Sequence, residues 1–135
     1  MRKILIASHS MLADGMKKTL EFLTSMNNVY SISAYVNDTP LIDQIEEFKK
    51  LLNKDDELVI LTDMQGGSVN QAFCFLMNEH THLICGVNLS LALAIALYPG
   101  DERLSSDKIE SIVESAQCQI KYMNSFSLEN DEEDE

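Results

Sequence analysis

The chain has 135 residues, 45% of them apolar and 24% charged, and a formal net charge of −12. That is enough chain for one domain of ordinary size, and it is too apolar for a disordered polymer or a fibre. The acidity makes nucleic acid an unsuitable partner, because phosphates repel such a surface, and leaves a basic protein as one it can steer.

The N-terminus opens with the apolar run Ile4-Leu5-Ile6-Ala7, which reaches Ser8 and His9 too soon for a signal peptide. A first strand is predicted over Lys3–Ser8. Leu12, Met16, Leu20 and Leu23 then recur at helical spacing and predict an amphipathic helix. Val29–Ala34 half-alternates and reads as a second strand. In Asp38-Thr39-Pro40, Thr39 suits a helix cap and Pro40 a first helical position. Leu41, Ile45, Phe48 and Leu52 give the second helix its inner face.

Glu57–Asp63 is a continuous apolar run ending in the polar pair Thr62-Asp63, as expected of a strand covered on both faces. Gly66-Gly67-Ser68 breaks the chain, with Ser68 a candidate cap. Val69, Ala72, Phe73, Leu76 and Met77 then predict a third helix. A short strand is expected over His82–Gly86. Asn88 or Ser90 starts a very apolar helix ending near Tyr98-Pro99, which is either deeply buried or a subunit contact. Ser105 or Ser106 caps a last helix with Ile109, Ile112, Val113, Ala116 and Ile120 inward.

No run in this chain is long and apolar enough to span a bilayer; the longest, Leu83 to Tyr98, is broken by Gly86, Asn88 and Ser90. Cys74, Cys85 and Cys118 are odd in number and lack a Cys-x-x-Cys pair, which suits reduced, buried thiols in a cytoplasmic protein. His80, His82 and Cys85 are too few and too scattered for a zinc site, so no metal is expected. Six of the last seven residues, Glu129 to Glu135, are carboxylates. They are expected to form a disordered acidic tail behind a single domain over residues 1–128.

Alternating strands and helices imply an α/β fold: an open, mainly parallel sheet of about four strands with helices on both faces, of flavodoxin-like type. In such sheets function lies beyond the C-terminal strand ends. If strands one, three and four are neighbours, Ser8-His9-Ser10, Thr62–Ser68 and Gly86-Val87-Asn88 share one rim. His9 there is a candidate nucleophile, with Asp63 fixing its tautomer. Gly66 and Gly67 would let main-chain N–H groups approach an anion, and Ser68 adds a hydroxyl. Singly, each residue is more often structural. Their shared placement favours an oxyanion pocket suited to phosphoryl transfer.

At these residues the sequence resembles the enzyme IIA domain of the mannose family of the bacterial phosphoenolpyruvate-dependent sugar phosphotransferase system (PTS). The matching segments are Ile6-Ala7-Ser8-His9 with Leu12-Ala13-Asp14-Gly15, Leu61-Thr62-Asp63 with Gly66-Gly67-Ser68 and Asn70, and Gly86-Val87-Asn88-Leu89. The resemblance implies a phosphocarrier that accepts a phosphoryl group on His9 from phospho-HPr and passes it to an enzyme IIB serving a membrane sugar permease. Asp63 would orient the imidazole. Ser68 would lie near the phosphoryl oxygens, with Gly66 and Gly67 beside it. The resemblance further implies no cofactor or metal at this step, a homodimer, and a IIB on a separate polypeptide. Ser10 stands where the family often has Gly, and its hydroxyl is a further candidate phosphoryl contact. Val69 stands where the family has Pro, and Gln65 where an apolar residue is common. Two alternatives are a phosphotransferase subunit of dihydroxyacetone kinase and a non-catalytic flavodoxin-like module that binds an anion.

Overall fold

The computed structural model describes residues 1–126, so the acidic segment 129–135 lies outside the described residues. Two compact units are present, divided between Arg103 and Leu104. The first contains all four strands: β1 (Arg2–His9), β2 (Val29–Ala34), β3 (Glu57–Thr62) and β4 (Thr81–Ile84). Between and after them run α1 (Leu12–Thr24), α2 (Leu41–Lys49), α3 (Ser68–Phe73) and α4 (Leu89–Leu97). The second unit contains α5 (Ser106–Gln117), capped by Ser105 Oγ, which accepts from the Lys108 N–H at 3.2 Å.

The sheet order is β2-β1-β3-β4 and every pairing is parallel. β1 and β3 are central and buried nearly throughout, as their unbroken apolar runs require. Ile4 pairs with Val59 and Ile6 with Leu61. On one face Leu5, Ala7, Ile32, Ala34, Leu58 and Ile60 pack with Ile45 and Phe48 of α2 and Val69 and Phe73 of α3. Strand alternation turns Ile4, Ile6, Val59 and Leu61 to the opposite face, where α1 and α4 meet. Each such aliphatic side chain taken from water contributes about 1.5–3 kcal/mol.

Several local expectations change. On α1 it is Ala13 and Leu20 that are buried, while Leu12 and Leu23 are half exposed. The pattern Leu12-Met16-Leu20-Leu23 is sequence-regular, but only its middle faces the sheet. α2 begins after Pro40, and no side chain caps it. The Thr39 N–H is instead held by Asn37 Oδ1 at 2.9 Å. α3 stops at Phe73 and tightens into a 3-10 turn over Cys74–Leu76, leaving Met77 exposed. Cys74 is therefore exposed, as is Cys118 just past α5, while Cys85 is half-buried; all three are free thiols. Ile109 and Ala116 are buried, but Ile120 lies beyond the helix and is exposed. Asn88 caps α4 by accepting from the Leu91 N–H at 2.8 Å. Leu91, Ala92, Ile95 and Ala96 of that helix are buried and Leu97 is exposed.

The N-terminal strand ends carry buried charges. Arg2 Nε pairs with Glu57 Oε1 at 2.7 Å, and its guanidinium donates to the carbonyls of Tyr98 and Glu102 at 2.8 and 2.6 Å. Lys3 Nζ meets Asp56 Oδ2 and the Leu51 carbonyl, each at 2.6 Å. The Lys3 ammonium and the Asn53 N–H hold the Asp56 carboxyl below its ordinary value of 3.8. A depressed carboxyl contributes stability above its unfolded value and loses it as pH falls through the folded one. Asp56→Asn should therefore cost about 2 kcal/mol at neutral pH. Urea denaturation should show that cost shrinking as the pH drops below 3.8. A cost that does not depend on pH would mean the ion pair is not its source.

Candidate active site

β1 and β3 are parallel neighbours, so their C-terminal ends emerge side by side, with Ala7 level with Thr62. His9 closes β1 and Asp63 follows β3. A single carboxylate oxygen, Asp63 Oδ2, accepts from the His9 main-chain N–H at 2.8 Å and lies 2.8 Å from His9 Nδ1. The other oxygen, Oδ1, accepts from the Met64 N–H at 3.0 Å. Burial pushes the Asp63 carboxyl up, but the hydrogen bonds and charge of His9 and the Met64 N–H outweigh it, so the group sits below 3.8. Asp63 is thus an ionised acceptor, and Nδ1 carries the imidazole proton. Nε2 is on the far side of a ring that is 35% exposed, beside a carboxylate only 9% exposed.

Ser68 is the first residue of α3. Gly67, in extended conformation, takes the cap position, and no side chain caps the helix. The Ser68 hydroxyl is therefore not a cap: it lies 3.4 Å from His9 Nε2 and 2.7 Å from the Tyr35 hydroxyl. Gly67 approaches the imidazole closely, since a Cβ there would stand 3.4 Å from His9 Cε1. Its N–H donates to the Met64 carbonyl at 3.3 Å, closing the turn after β3. Gly66 has φ +74°, the left-handed region that glycine enters without a Cβ penalty. Ser10 also lies there, at φ +53°, with its N–H on the Ala34 carbonyl at 2.8 Å. It makes no hydrogen bond to His9 or Ser68.

Supports behind these groups are polar and buried. Ser8 Oγ accepts from the Ala13 N–H at 2.7 Å and so anchors the first turn of α1 to the strand. Thr62 Oγ1 donates to Asn70 Oδ1 at 2.7 Å, tying β3 to α3. The Thr62 carbonyl accepts from Val87 at 2.9 Å, drawing the β4 loop to the same edge.

One residue of the rim is absent from the sequence motifs. Tyr35 directly follows β2, its ring centroid is 5.6 Å from that of His9, and it is 61% exposed. Its φ of +65° is unusual for a bulky residue and costs about 1–2 kcal/mol. The available signal was its place one residue past a strand that neighbours β1.

Parallel strands that deliver a histidine, an ionised carboxylate and a hydroxyl to one edge define an α/β domain with a histidine-centred rim. A profile of the PTS system fructose IIA component family matches residues 3–117, and the chain belongs to that family, the EIIA-mannose type. Among solved structures it is similar to a protein of Klebsiella pneumoniae subsp. pneumoniae MGH 78578 assigned to a phosphoenolpyruvate-dependent sugar PTS permease. The two share 30% identity with a TM-score of 0.78, over 93% of each chain. It is also similar to the PTS IIA protein associated with the fucose utilization operon of Streptococcus pneumoniae, with 26% identity, a TM-score of 0.71, and 91% of this chain and 93% of that one covered. The PTS component EIIA of Streptococcus agalactiae shares the fold at 22% identity, with a TM-score of 0.75 over 93% of this chain and 99% of that one. A comparison with curated protein sequences gave no match. Membership supports a PTS phosphocarrier role in sugar uptake and implies dealings with HPr and an EIIB. Among the described residues no helix is long and apolar enough to cross a membrane.

Gly66→Ala should destabilise the domain by about 1 kcal/mol, because alanine pays for a left-handed φ even though open space surrounds the position. Chemical denaturation measures this; an unchanged midpoint would mean the turn relaxes.

Proposed function

We propose that His9 is a transient phosphoryl carrier between phospho-HPr and an enzyme IIB. Nε2 attacks the phosphorus of the donor phosphohistidine; the donor N–P bond breaks as the new one forms. The same exchange, reversed in direction, hands the group on. The observation that carries this reading is the Asp63 contact at 2.8 Å on Nδ1, which leaves a lone pair on Nε2 at the exposed side of the ring. With Nδ1 still protonated, the phosphorylated imidazole is cationic, and the Asp63 charge offsets that of the ring. Ser68 donates to a phosphoryl oxygen. Gly67 leaves room beside Cε1, while Gly66 and Ser10, in the neighbouring turns, are the remaining proposed phosphoryl contacts. Donor and acceptor are both phosphohistidine-type centres, so alignment and oxygen stabilisation are what the protein must supply.

Incubation with radiolabelled phosphoenolpyruvate, enzyme I and HPr should place acid-labile, base-stable label on the wild type and none on His9→Ala. Absence of label on the wild type, with HPr from the same organism itself phosphorylated, would overturn the assignment. Asp63→Ala should keep the fold and slow transfer by about 10- to 100-fold, through a loosened tautomer and ring. A rate equal to wild type would remove Asp63 from that role. A homodimer is part of the same reading, and analytical ultracentrifugation that finds monomer alone would remove it.

A further inference from the structure

Tyr35 belongs to none of the strand-end motifs, yet it closes a chain of polar contacts that starts at Asp63. The order is Asp63 Oδ2, His9 Nδ1 at 2.8 Å, His9 Nε2, Ser68 Oγ at 3.4 Å and Tyr35 OH at 2.7 Å. Each hydroxyl has one proton to give. Because Nδ1 holds the ring proton, Nε2 presents a lone pair. If Ser68 gave its proton to Tyr35, two lone pairs would face each other across the Ser68–His9 gap. The favourable polarity therefore runs one way: Tyr35 O–H donates to Ser68 Oγ, and Ser68 O–H points to Nε2.

We propose that Tyr35 is a positioning residue for phosphoryl transfer at His9, acting by occupying a Ser68 lone pair so that the Ser68 proton is aimed at the incoming phosphoryl oxygens. This rests on the reading of His9 as the phosphoryl acceptor. When the group bonds to Nε2, the Ser68 proton turns to a phosphoryl oxygen without surrendering its bond from Tyr35. Stability does not explain the arrangement. Tyr35 is mostly exposed, and an exposed hydroxyl pair adds little to folding, yet the residue is held at φ +65°. Strain kept at a rim beside a reactive ring is the pattern expected where geometry serves chemistry.

Single-turnover transfer from phospho-HPr, run on wild type, Tyr35→Phe, Ser68→Ala and the double variant, tests this. Tyr35→Phe should slow transfer by about 5- to 10-fold, less than loss of a direct donor. The dependence on phospho-HPr concentration should stay the same, since the ring remains. In the Ser68→Ala background the same substitution should change nothing. The ¹⁵N resonance of His9 Nε2 in the unphosphorylated protein should move in Tyr35→Phe, a readout independent of transfer. A wild-type rate in Tyr35→Phe, an equal loss in both backgrounds, or an unmoved Nε2 resonance would each overturn the role of Tyr35 while leaving the carrier intact. A wild type that accepts no label would overturn the carrier reading and this inference together.

Discussion

Asp63 Oδ2 faces His9 twice, through the main-chain N–H and through Nδ1, each at 2.8 Å. The first contact fixes where β1 ends relative to β3. The second holds Nδ1 of the ring against the carboxylate. Neither forms unless the two strands are parallel neighbours in register, and that register is set by apolar residues deep in the sheet, Ile4 against Val59 and Ile6 against Leu61. The packing of the core and the chemistry of the rim are thus linked through one oxygen atom. The same geometry keeps the carboxylate ionised despite its burial, because the bonds from His9 outweigh the loss of water.

The two ends of the sheet are built for different work. At the N-terminal edge Arg2 and Lys3 are satisfied by carboxylates and carbonyls at 2.6–2.8 Å. At the C-terminal edge four residues, Ser10, Tyr35, Gly66 and Gly86, have φ between +53° and +76°, one after each strand. A strand that must hand over at once to a turn and helix needs such a reversal. Only two of the four are glycine. The serine and the tyrosine adopt a conformation that costs a residue with a Cβ more than it costs glycine.

The strands were largely legible in the sequence: Val29–Ala34 appears where expected, the run from Glu57 stops at Thr62, one residue short of Asp63, and the strand expected over His82–Gly86 lies instead over Thr81–Ile84, because the chain turns off the sheet before Gly86. The meeting of His9 with Asp63 followed from the strand-end rule together with the adjacency of β1 and β3, and the structure brings them together. Helix faces were less legible. Leu12 and Leu23 fit a helical stripe, but the sheet beneath α1 covers Ala13 and Leu20 instead. Periodicity records which residues share a face and not how far the partner surface extends. The length of α3 was hidden because Leu76 and Met77 continue its spacing past the point where the backbone tightens. Ser68 looked like a cap because its residue type suits one, whereas Gly67 takes that place. Tyr35 left only its place one residue past the second strand: its position beside His9 depends on β2 lying next to β1 and on a left-handed backbone, neither of which a spacing encodes.

The clamps on β1 bear on motion as well as on shape. The strand is flanked by a hydrogen-bonded neighbour on each side and held at one end by Arg2 and Lys3 and at the other by Asp63. Its inner amides, Ile4 to Ala7, are therefore expected, like those of the equally buried β3, to exchange with solvent through opening of the sheet rather than by local fraying. His9 is thus mounted on a strand clamped on both sides, while Tyr35, just past β2, and Ser68, at the start of α3, stand exposed beside it with fewer restraints.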